Sequence, residues 1–206
     1  MTGRNADFDT SEGSAFDVWE PHIRSFVSLC SDTALSPPGG LGDLTVGIKD
    51  IIDVEGIPTR NGSAASADAR PAVNDAAVVA ALRAAGARIV GKTATTEFAF
   101  TDPTDCRNPY DLTRSPGGSS SGSGAAVAAG LVDLALGTQT AGSLCRPAAY
   151  CGVVGLKPTF GALSTEGVTS LARSFDTVGV IARSVDVAQR AFKVLAGDVG
   201  LSARQP

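Results

Sequence analysis

One lysine and two serine-rich segments have the residue types and spacing for nucleophilic catalysis. Lys49 interrupts an otherwise apolar run, TVGIKDII, and is followed by GGSSSGSG from residue 117 and by GTQTAGS, which ends at Ser143. Burial in apolar surroundings lowers the pKa of a lysine, by about 3 to 5 units when burial is complete, so its neutral amine can act as a base. The combination indicates serine chemistry with a lysine base. In the alternative interpretation, Lys49 lies at a strand end and reaches water, or pairs with Asp50 or Asp53.

Other nucleophilic or metal-dependent arrangements have little support. The sequence contains one histidine, His22, in a polar N-terminal segment. A Ser-His-Asp or Cys-His arrangement would have to use it, whereas a helix-surface role is the commoner one for such a residue. The four cysteines include no CxxC pair, so we interpret them as reduced packing residues: Cys30, Cys106, Cys145 and Cys151. No metal and no cofactor is expected.

Two short motifs match known patterns in the wrong context. Residues 86–93, GARIVGKT, fit the phosphate-binding pattern G-x-x-x-x-G-K-[ST], but a predicted helix precedes the first glycine and a predicted strand follows it. Residues 118–122, GSSSG, fit the nucleophile elbow at Ser120, but the preceding RSPG cannot form a central strand. Both interpretations are rejected.

Composition limits the class of protein. The chain has 206 residues, of which 43% are hydrophobic, and we expect one domain over residues 1–206 with a mobile leader over residues 1–14. The net charge of −4, with scattered basic residues, argues against nucleic-acid binding. No run of 18 apolar residues and no signal-peptide pattern occurs, so we expect no membrane association and a cytoplasmic protein.

The hydrophobic pattern predicts alternating helices and strands around these residues. Helices are predicted over residues 16–29, with an interruption near Pro21, then from Asn74 or Asp75 to residue 85, and over 125–129 and 185–195; strands are predicted over 44–52, 88–90, 134–136 and 178–182. This order predicts an α/β fold with a buried mixed or parallel sheet covered by helices. The small residues after GGSSSGSG are too apolar for a linker and indicate a tightly packed interior.

Three ordered blocks, GGSSSGSGAAVAAG, LALGTQTAGS and RPAAYCGVVGLKPTFG, resemble the amidase signature family. Weaker agreement in VGIKDIIDVEGIPTRNGS and GKTATTEFAF extends the resemblance over about residues 42–197. It implies the amidase-signature α/β fold, with a mixed, largely parallel central sheet, and hydrolysis of amides and some esters by a Ser-cisSer-Lys triad. The family's catalytic domain is longer, so the resemblance also implies that a C-terminal part, with further strands and much of the pocket, is missing.

The resemblance assigns the triad to three positions. The family's lysine corresponds to Lys49, its cis-serine to Ser119 and its acylated serine to Ser143. It implies that Ser143 attacks the carbonyl carbon, that Ser119 relays the proton, and that neutral Lys49 is the final base. It also implies a cis peptide bond between Gly118 and Ser119.

The resemblance further implies that backbone N–H groups of Thr140, Ala141, Gly142 and Ser143 form the oxyanion hole. Two residues depart from the family pattern. Gln139 stands where many relatives carry aspartate, and Ala141 stands where most carry glycine. A turn that required positive φ at residue 141 would be strained by the alanine methyl group.

Arg146 bears on the substrate. The spacing in SLCRP resembles the malonamidase-like branch, S-x-x-R-P, more than amidotransferase A subunits, in which the arginine comes two residues after the nucleophile. The resemblance implies that Arg146 binds a substrate carboxylate, for which a guanidinium is well shaped. Alternatively, Arg146 is structural and fixes the helix after Ser143. Lys92 and Lys157 recur in family blocks and are expected to serve the structure.

Three functions therefore stay open. The first is an amidase that acts on a small, carboxylate-bearing amide. The second is a non-catalytic remnant or subunit that binds small amides or partners, and the third is an amidotransferase A subunit. Because an unpaired strand edge favours association, we expect a homodimer or a partner chain that completes the sheet.

Overall fold

The computed structural model describes residues 14–30 and 40–197, so the expected leader lies outside the described residues except for Ser14. Six strands and five helices form here. In chain order they are α1 (Ala15–Ile23), β1 (Phe26–Leu29), β2 (Thr45–Lys49), α2 (Ala77–Ala84), β3 (Arg88–Thr93), α3 (Ser121–Ala128), β4 (Leu134–Gln139), α4 (Cys145–Tyr150), β5 (Val154–Leu156), β6 (Thr177–Ala182) and α5 (Val185–Ala196). Two single-turn 3-10 helices lie at Ala64–Ser66 and Glu97–Ala99.

The strands form one mixed sheet in the order β1-β3-β2-β4-β6-β5. β2 is parallel to both β3 and β4, whereas β1 is antiparallel to β3, and β6 is antiparallel to β4 and β5. Four strands, β2 to β5, therefore point in the same direction. This confirms the prediction of a mixed, largely parallel sheet.

Helices cover both faces of the sheet and create two apolar cores. α2 and α5 pack against each other on one face, and α3 and α4 do so on the other. β4 contributes to both cores, because side chains alternate along a strand: Leu134 and Leu136 lie in the first core and Ala135 in the second. All six residues of β4 are buried, as expected for a strand covered on both faces.

The glycine-rich segment is a buried helix, α3, rather than a linker. It begins at Ser121, four residues before the predicted start. A Cβ atom on Gly122 would lie 2.1 Å from the carbonyl oxygen of Ser25 and 2.4 Å from the nitrogen of Ala94. The helix therefore packs directly against neighbouring backbone, which requires glycine at this position.

The prediction of one interrupted helix over residues 16–29 is wrong. α1 ends at Ile23, Arg24 adopts a left-handed conformation with φ of 50°, and β1 then pairs antiparallel with β3. The Glu20 carboxylate accepts hydrogen bonds from the Ser25 hydroxyl and the Phe26 N–H, which fixes the turn between the two elements. Pro21 lies inside α1 rather than at the break.

Several predicted boundaries also change. β2 ends at Lys49 rather than residue 52, because the N–H groups of Ile51 and Ile52 both donate to the Lys49 carbonyl in a tight turn. Neither predicted cap starts α2: its N-cap is Ala76, while Asp75 pairs with the Arg83 guanidinium at 2.8 Å. The sequence pattern does not predict β5 and α4, since both are short and lie in a region rich in small residues.

Within the described ranges, no helix combines the length and apolar character needed to span a membrane.

Candidate active site

The carboxyl ends of two parallel strands bring the candidate lysine beside the candidate serines. Lys49 is the last residue of β2, and the neighbouring strand β4 ends at Gln139, directly before the turn that carries Ser143. Lys49 Nζ donates hydrogen bonds to Ser119 Oγ at 2.7 Å and to Thr138 Oγ1 at 2.8 Å. The lysine therefore points into the serine cluster.

Lys49 is fully buried, with 0% of its surface exposed. Burial lowers its pKa from 10.5 to about 7, and the charge of Asp176 acts in the opposite direction. The alternative interpretation of Lys49 is wrong on both counts. Its side chain does not reach water, and the two nearby carboxylates are engaged elsewhere: Asp50 binds Lys92 at 2.9 Å, and Asp53 accepts from the Thr59 hydroxyl at 2.6 Å.

Ser119 lies two residues before the start of α3, in a turn that the resemblance implied would contain a cis peptide bond. The Gly118–Ser119 peptide bond is cis in this structure, and Ser119 is fully buried. The Ser119 carbonyl accepts the N–H of Thr96 at 3.1 Å. One residue later, the N–H of Ser120 donates to the Ser143 carbonyl at 3.1 Å, which links the two serine segments directly.

Ser143 is 8% exposed and lies in the turn between β4 and α4. Within residues 14–30 and 40–197, its hydroxyl forms no hydrogen bond, so the direct contact with Ser119 that a proton relay needs is not formed here. The structure thus joins Lys49 to Ser119 through side chains, and joins the Ser119 segment to Ser143 through the backbone.

The turn over residues 140–143 accommodates Ala141 without backbone strain. Neither Ala141 nor Gly142 has a positive φ, so the methyl group at position 141 meets no conformational penalty. Gln139, the other departure from the family pattern, caps the following helix: its Oε1 accepts the N–H groups of Leu144 at 3.0 Å and Cys145 at 2.9 Å. A neutral acceptor thus orients the chain directly after Ser143.

Sequence reasoning did not identify Thr138 and Asp176 as site residues. Thr138 accepts a hydrogen bond from Lys49, and the Thr140 hydroxyl donates to the Asp176 carboxylate. Thr138 lies inside the recognised GTQTAGS block, but the resemblance assigns catalytic roles only to other residues of that block. Asp176 lies beside Thr140 because of the pairing of Gln139 with Thr177 in the antiparallel β4–β6 pair, and the sequence alone does not reveal this register.

Arg146 lies in α4 and is exposed. Its guanidinium nitrogen would lie 3.5 Å from a Cβ atom on Gly142, so it packs beside the turn that carries Ser143. It also lines a cavity of about 200 Å³ next to the cis-peptide turn, together with Thr96, Phe100, Thr101, Pro103, Ser115, Gly117, Gly118, Ser121 and Tyr150. Among the described residues, the guanidinium has no ion-pair or hydrogen-bond partner.

The remaining reactive side chains are not arranged as a second centre. None of the four cysteines is joined in a disulfide in the described structure, and burial raises the pKa of Cys151 to about 12, which keeps it a thiol. His22 is exposed on α1. Lys92 is held by Asp50 and Lys157 donates to the Pro158 carbonyl, in line with structural roles. In the described part of the chain, no group of three or more potential ligands could hold a metal ion.

Comparison with known proteins identifies the family. The family model for Amidase matches residues 29–205. The chain is 50% identical over 167 residues to the A subunit of a glutamyl-tRNA(Gln) amidotransferase from Halobacterium salinarum, covering 77% of this chain and 39% of that protein.

Solved structures of similar fold belong to the same family. The corresponding A subunit from Thermotoga maritima superposes with a TM-score of 0.83 at 38% identity, covering 88% of this chain and 41% of that one. A peptide amidase from Stenotrophomonas maltophilia gives a TM-score of 0.80 at 37% identity, covering 93% and 44%. The chain spans about 40% of the length of these relatives. Sequence, fold and relatives agree that the chain belongs to the amidase family, whose members carry the amidase signature.

Proposed function

We propose that this chain hydrolyses the C–N bond of small amides through an acyl-enzyme on Ser143, with Ser119 as the proton relay and Lys49 as the base. The observation that carries the proposal is the Lys49–Ser119 hydrogen bond of 2.7 Å, made by a fully buried amine whose pKa is about 7. A base with a pKa near the working pH is effective because a large fraction of it is neutral and available.

In the proposed reaction, the neutral Lys49 amine uses its lone pair to accept the Ser119 proton while one of its N–H groups stays bound to Thr138. Ser119 in turn accepts the Ser143 proton as Ser143 Oγ bonds to the carbonyl carbon. The carbonyl oxygen becomes an oxyanion, and backbone N–H groups of residues 140–143 stabilise its charge. The proton then passes back through Ser119 to the leaving nitrogen as the C–N bond breaks, and a water molecule hydrolyses the ester on Ser143.

The proposed substrate carries a carboxylate at its far end, which Arg146 binds. Two observations support this assignment: the guanidinium is unpaired among the described residues, and it borders a cavity that also reaches Gly118, beside the relay serine. A guanidinium binds a carboxylate through two parallel hydrogen bonds. The competing interpretation is that Arg146 only stabilises α4.

Fluorophosphonate labelling of the purified chain tests the nucleophile without knowledge of the substrate. We expect modification of Ser143, identified by intact mass and peptide mapping, and none in the Ser143→Ala variant. The Lys49→Met variant should react at least about 100-fold more slowly, because general-base assistance is lost. A folded wild-type chain that is not labelled would favour the non-catalytic binding function instead.

The substrate class is tested by kcat/KM for matched amides with and without a terminal carboxylate. Arg146→Met is expected to lower kcat/KM for the carboxylated amide about 10-fold to 100-fold, the loss of one charged hydrogen-bonding group, and to leave the neutral amide unchanged. Arg146→Lys is the matched control, because it keeps the charge and loses the planar fork. Equal kcat/KM for the two amides in the wild-type chain would contradict the carboxylate assignment.

An amidotransferase A subunit is the second candidate function, and the names of the curated relatives favour it. The Arg146 spacing is the sequence feature against it. Release of ammonia from glutamine in preference to carboxylated amides that lack its α-amino group, together with co-purification of glutamine-dependent partner subunits, would favour this second function.

We also propose that the chain associates with a second copy or a partner chain in the cytoplasm. β1 and β5 are the edge strands of the sheet, with a neighbour on one side only among the described residues, and such edges favour association. Four cysteines without a disulfide among the described residues are compatible with a reducing compartment. Light scattering that reports a monodisperse monomer would contradict association with a second copy, and failure to co-purify any partner chain would contradict the other form.

A further inference from the structure

Asp176 joins two segments, the loop before β6 and the turn of the candidate site, through one carboxylate. Its Oδ1 accepts the hydroxyl of Thr140, the first residue of the turn that carries Ser143. Its Oδ2 accepts the Ser170 hydroxyl at 2.7 Å and the N–H groups of Leu171 and Ala172, each at 2.9 Å. The loop before β6 is thereby attached to the turn after β4.

These hydrogen bonds keep Asp176 ionised. Partial burial acts to raise its pKa, but the hydrogen bonds from Thr140, Ser170 and the two backbone N–H groups outweigh burial and lower the pKa of Asp176 below its usual value. The carboxylate is therefore negatively charged at neutral pH, and it is bound to Thr140, two residues after Thr138, whose hydroxyl accepts from Lys49. A nearby negative charge favours the protonated form of a lysine, so Asp176 opposes the effect of burial on the pKa of Lys49.

The other charged groups near Lys49 are engaged elsewhere in the described structure, and Asp53, four residues after Lys49, accepts the Thr59 hydroxyl at 2.6 Å. Asp50, directly after β2, and Lys92, on β3, are paired with each other at 2.9 Å, so their charges largely cancel. β4 contributes the neutral Thr138 hydroxyl to the lysine, and the segment before α3 contributes the Ser119 hydroxyl.

We infer that Asp176 is a positioning residue of the proposed amidase site, which holds the oxyanion turn through Thr140 and places a negative charge next to the strand end that binds Lys49 through Thr138. The inference rests on the proposed function. The two oxygens divide the contacts: Oδ1 binds the turn and Oδ2 binds the loop, so the carboxylate is fixed from both sides.

The test is the pH dependence of fluorophosphonate labelling at Ser143 in the full chain. In the wild type, the labelling rate should rise through pH 7 as Lys49 loses its proton and then reach a plateau. In Asp176→Asn, the amide can keep the Leu171 and Ala172 contacts through its oxygen and meet the Thr140 hydroxyl with its nitrogen. Because only the charge is lost, the opposing influence on Lys49 disappears, and the midpoint should fall by about half a pH unit.

Two further variants separate charge from position. Asp176→Glu keeps the charge, so its midpoint should stay near that of the wild type. Thr140→Val keeps Asp176 and removes only its link to the turn, so the midpoint should stay constant while the plateau rate falls about tenfold, since small displacements of a catalytic group slow reactions strongly.

The outcomes are distinguishable. An unchanged midpoint in a folded, labelled Asp176→Asn variant would overturn the inference, because a merely structural carboxylate lowers the plateau without moving the midpoint. An unchanged plateau in Thr140→Val would overturn it independently, even if Asp176→Asn does not fold. A folded wild-type chain that is not labelled would contradict the proposed function and the inference with it.

Discussion

Replacement of Lys49 by methionine should change how the stability of the fold depends on pH. In the unfolded chain the amine binds its proton up to a pKa of 10.5, whereas in the folded chain burial lowers that pKa to about 7. Between these values the unfolded state holds more protons, so the free energy of unfolding increases with pH. In the wild type, the Lys49 amine alone should increase the free energy of unfolding by about 2 kcal/mol between pH 7 and pH 9.

Urea denaturation of wild type and Lys49→Met at pH 7, 8 and 9 measures this contribution directly. Other titrating groups are common to both chains, so the difference between their pH dependences isolates Lys49. Methionine fills similar volume without a charge to desolvate, and the variant should lose the increase of about 2 kcal/mol. Lys193→Met, which replaces a lysine near the end of α5, is the matched control and should keep the wild-type dependence. Parallel curves for the wild type and Lys49→Met would refute a neutral buried lysine.

Two further predictions concern the scaffold of the site. Lys92→Met leaves Asp50 as an uncompensated buried charge and should reduce the free energy of unfolding by about 3 to 5 kcal/mol, measured by urea denaturation. The double variant Lys92→Met with Asp50→Asn should recover much of that loss. Gly122→Ala forces a Cβ atom into backbone at 2.1 Å and should cost about 1 to 3 kcal/mol or more, whereas Gly40→Ala, with open space around it, should unfold like the wild type in thermal scans. Equal stability of the two alanine variants would contradict this close-packing argument.

The fold class followed from the sequence because the central elements carry local signals. The apolar runs of β4 and β6 are long enough to predict buried strands, and the amphipathic pattern of α5 predicts a helix over almost its whole length. The strand β1 was not predicted, because its extended conformation depends on pairing with β3 and on the Glu20 contacts rather than on its own hydrophobic pattern. Local periodicity cannot reveal a strand partner that lies far away along the chain.

The candidate site was predictable where it lies in contiguous blocks. Lys49, Ser119 and Ser143 each lie in a recognisable segment, and the structure joins the first two by a hydrogen bond. Asp176 was not predictable, because strand register brings it beside Thr140. The question of strain at Ala141 also required backbone angles, and φ at this residue is not positive.

Within the described ranges, the Lys49 side chain has no exposed surface through which it could contact bulk water directly. Its amine contacts the hydroxyls of Ser119 and Thr138, and all three residues are buried. In the proposed reaction, a proton that reaches Lys49 must therefore leave through the hydroxyl by which it came. The leaving amine would then carry away the same proton that Ser143 released. During acylation the site would then exchange no proton with the solvent, and the pH of the solution would set the charge of Lys49 only between turnovers.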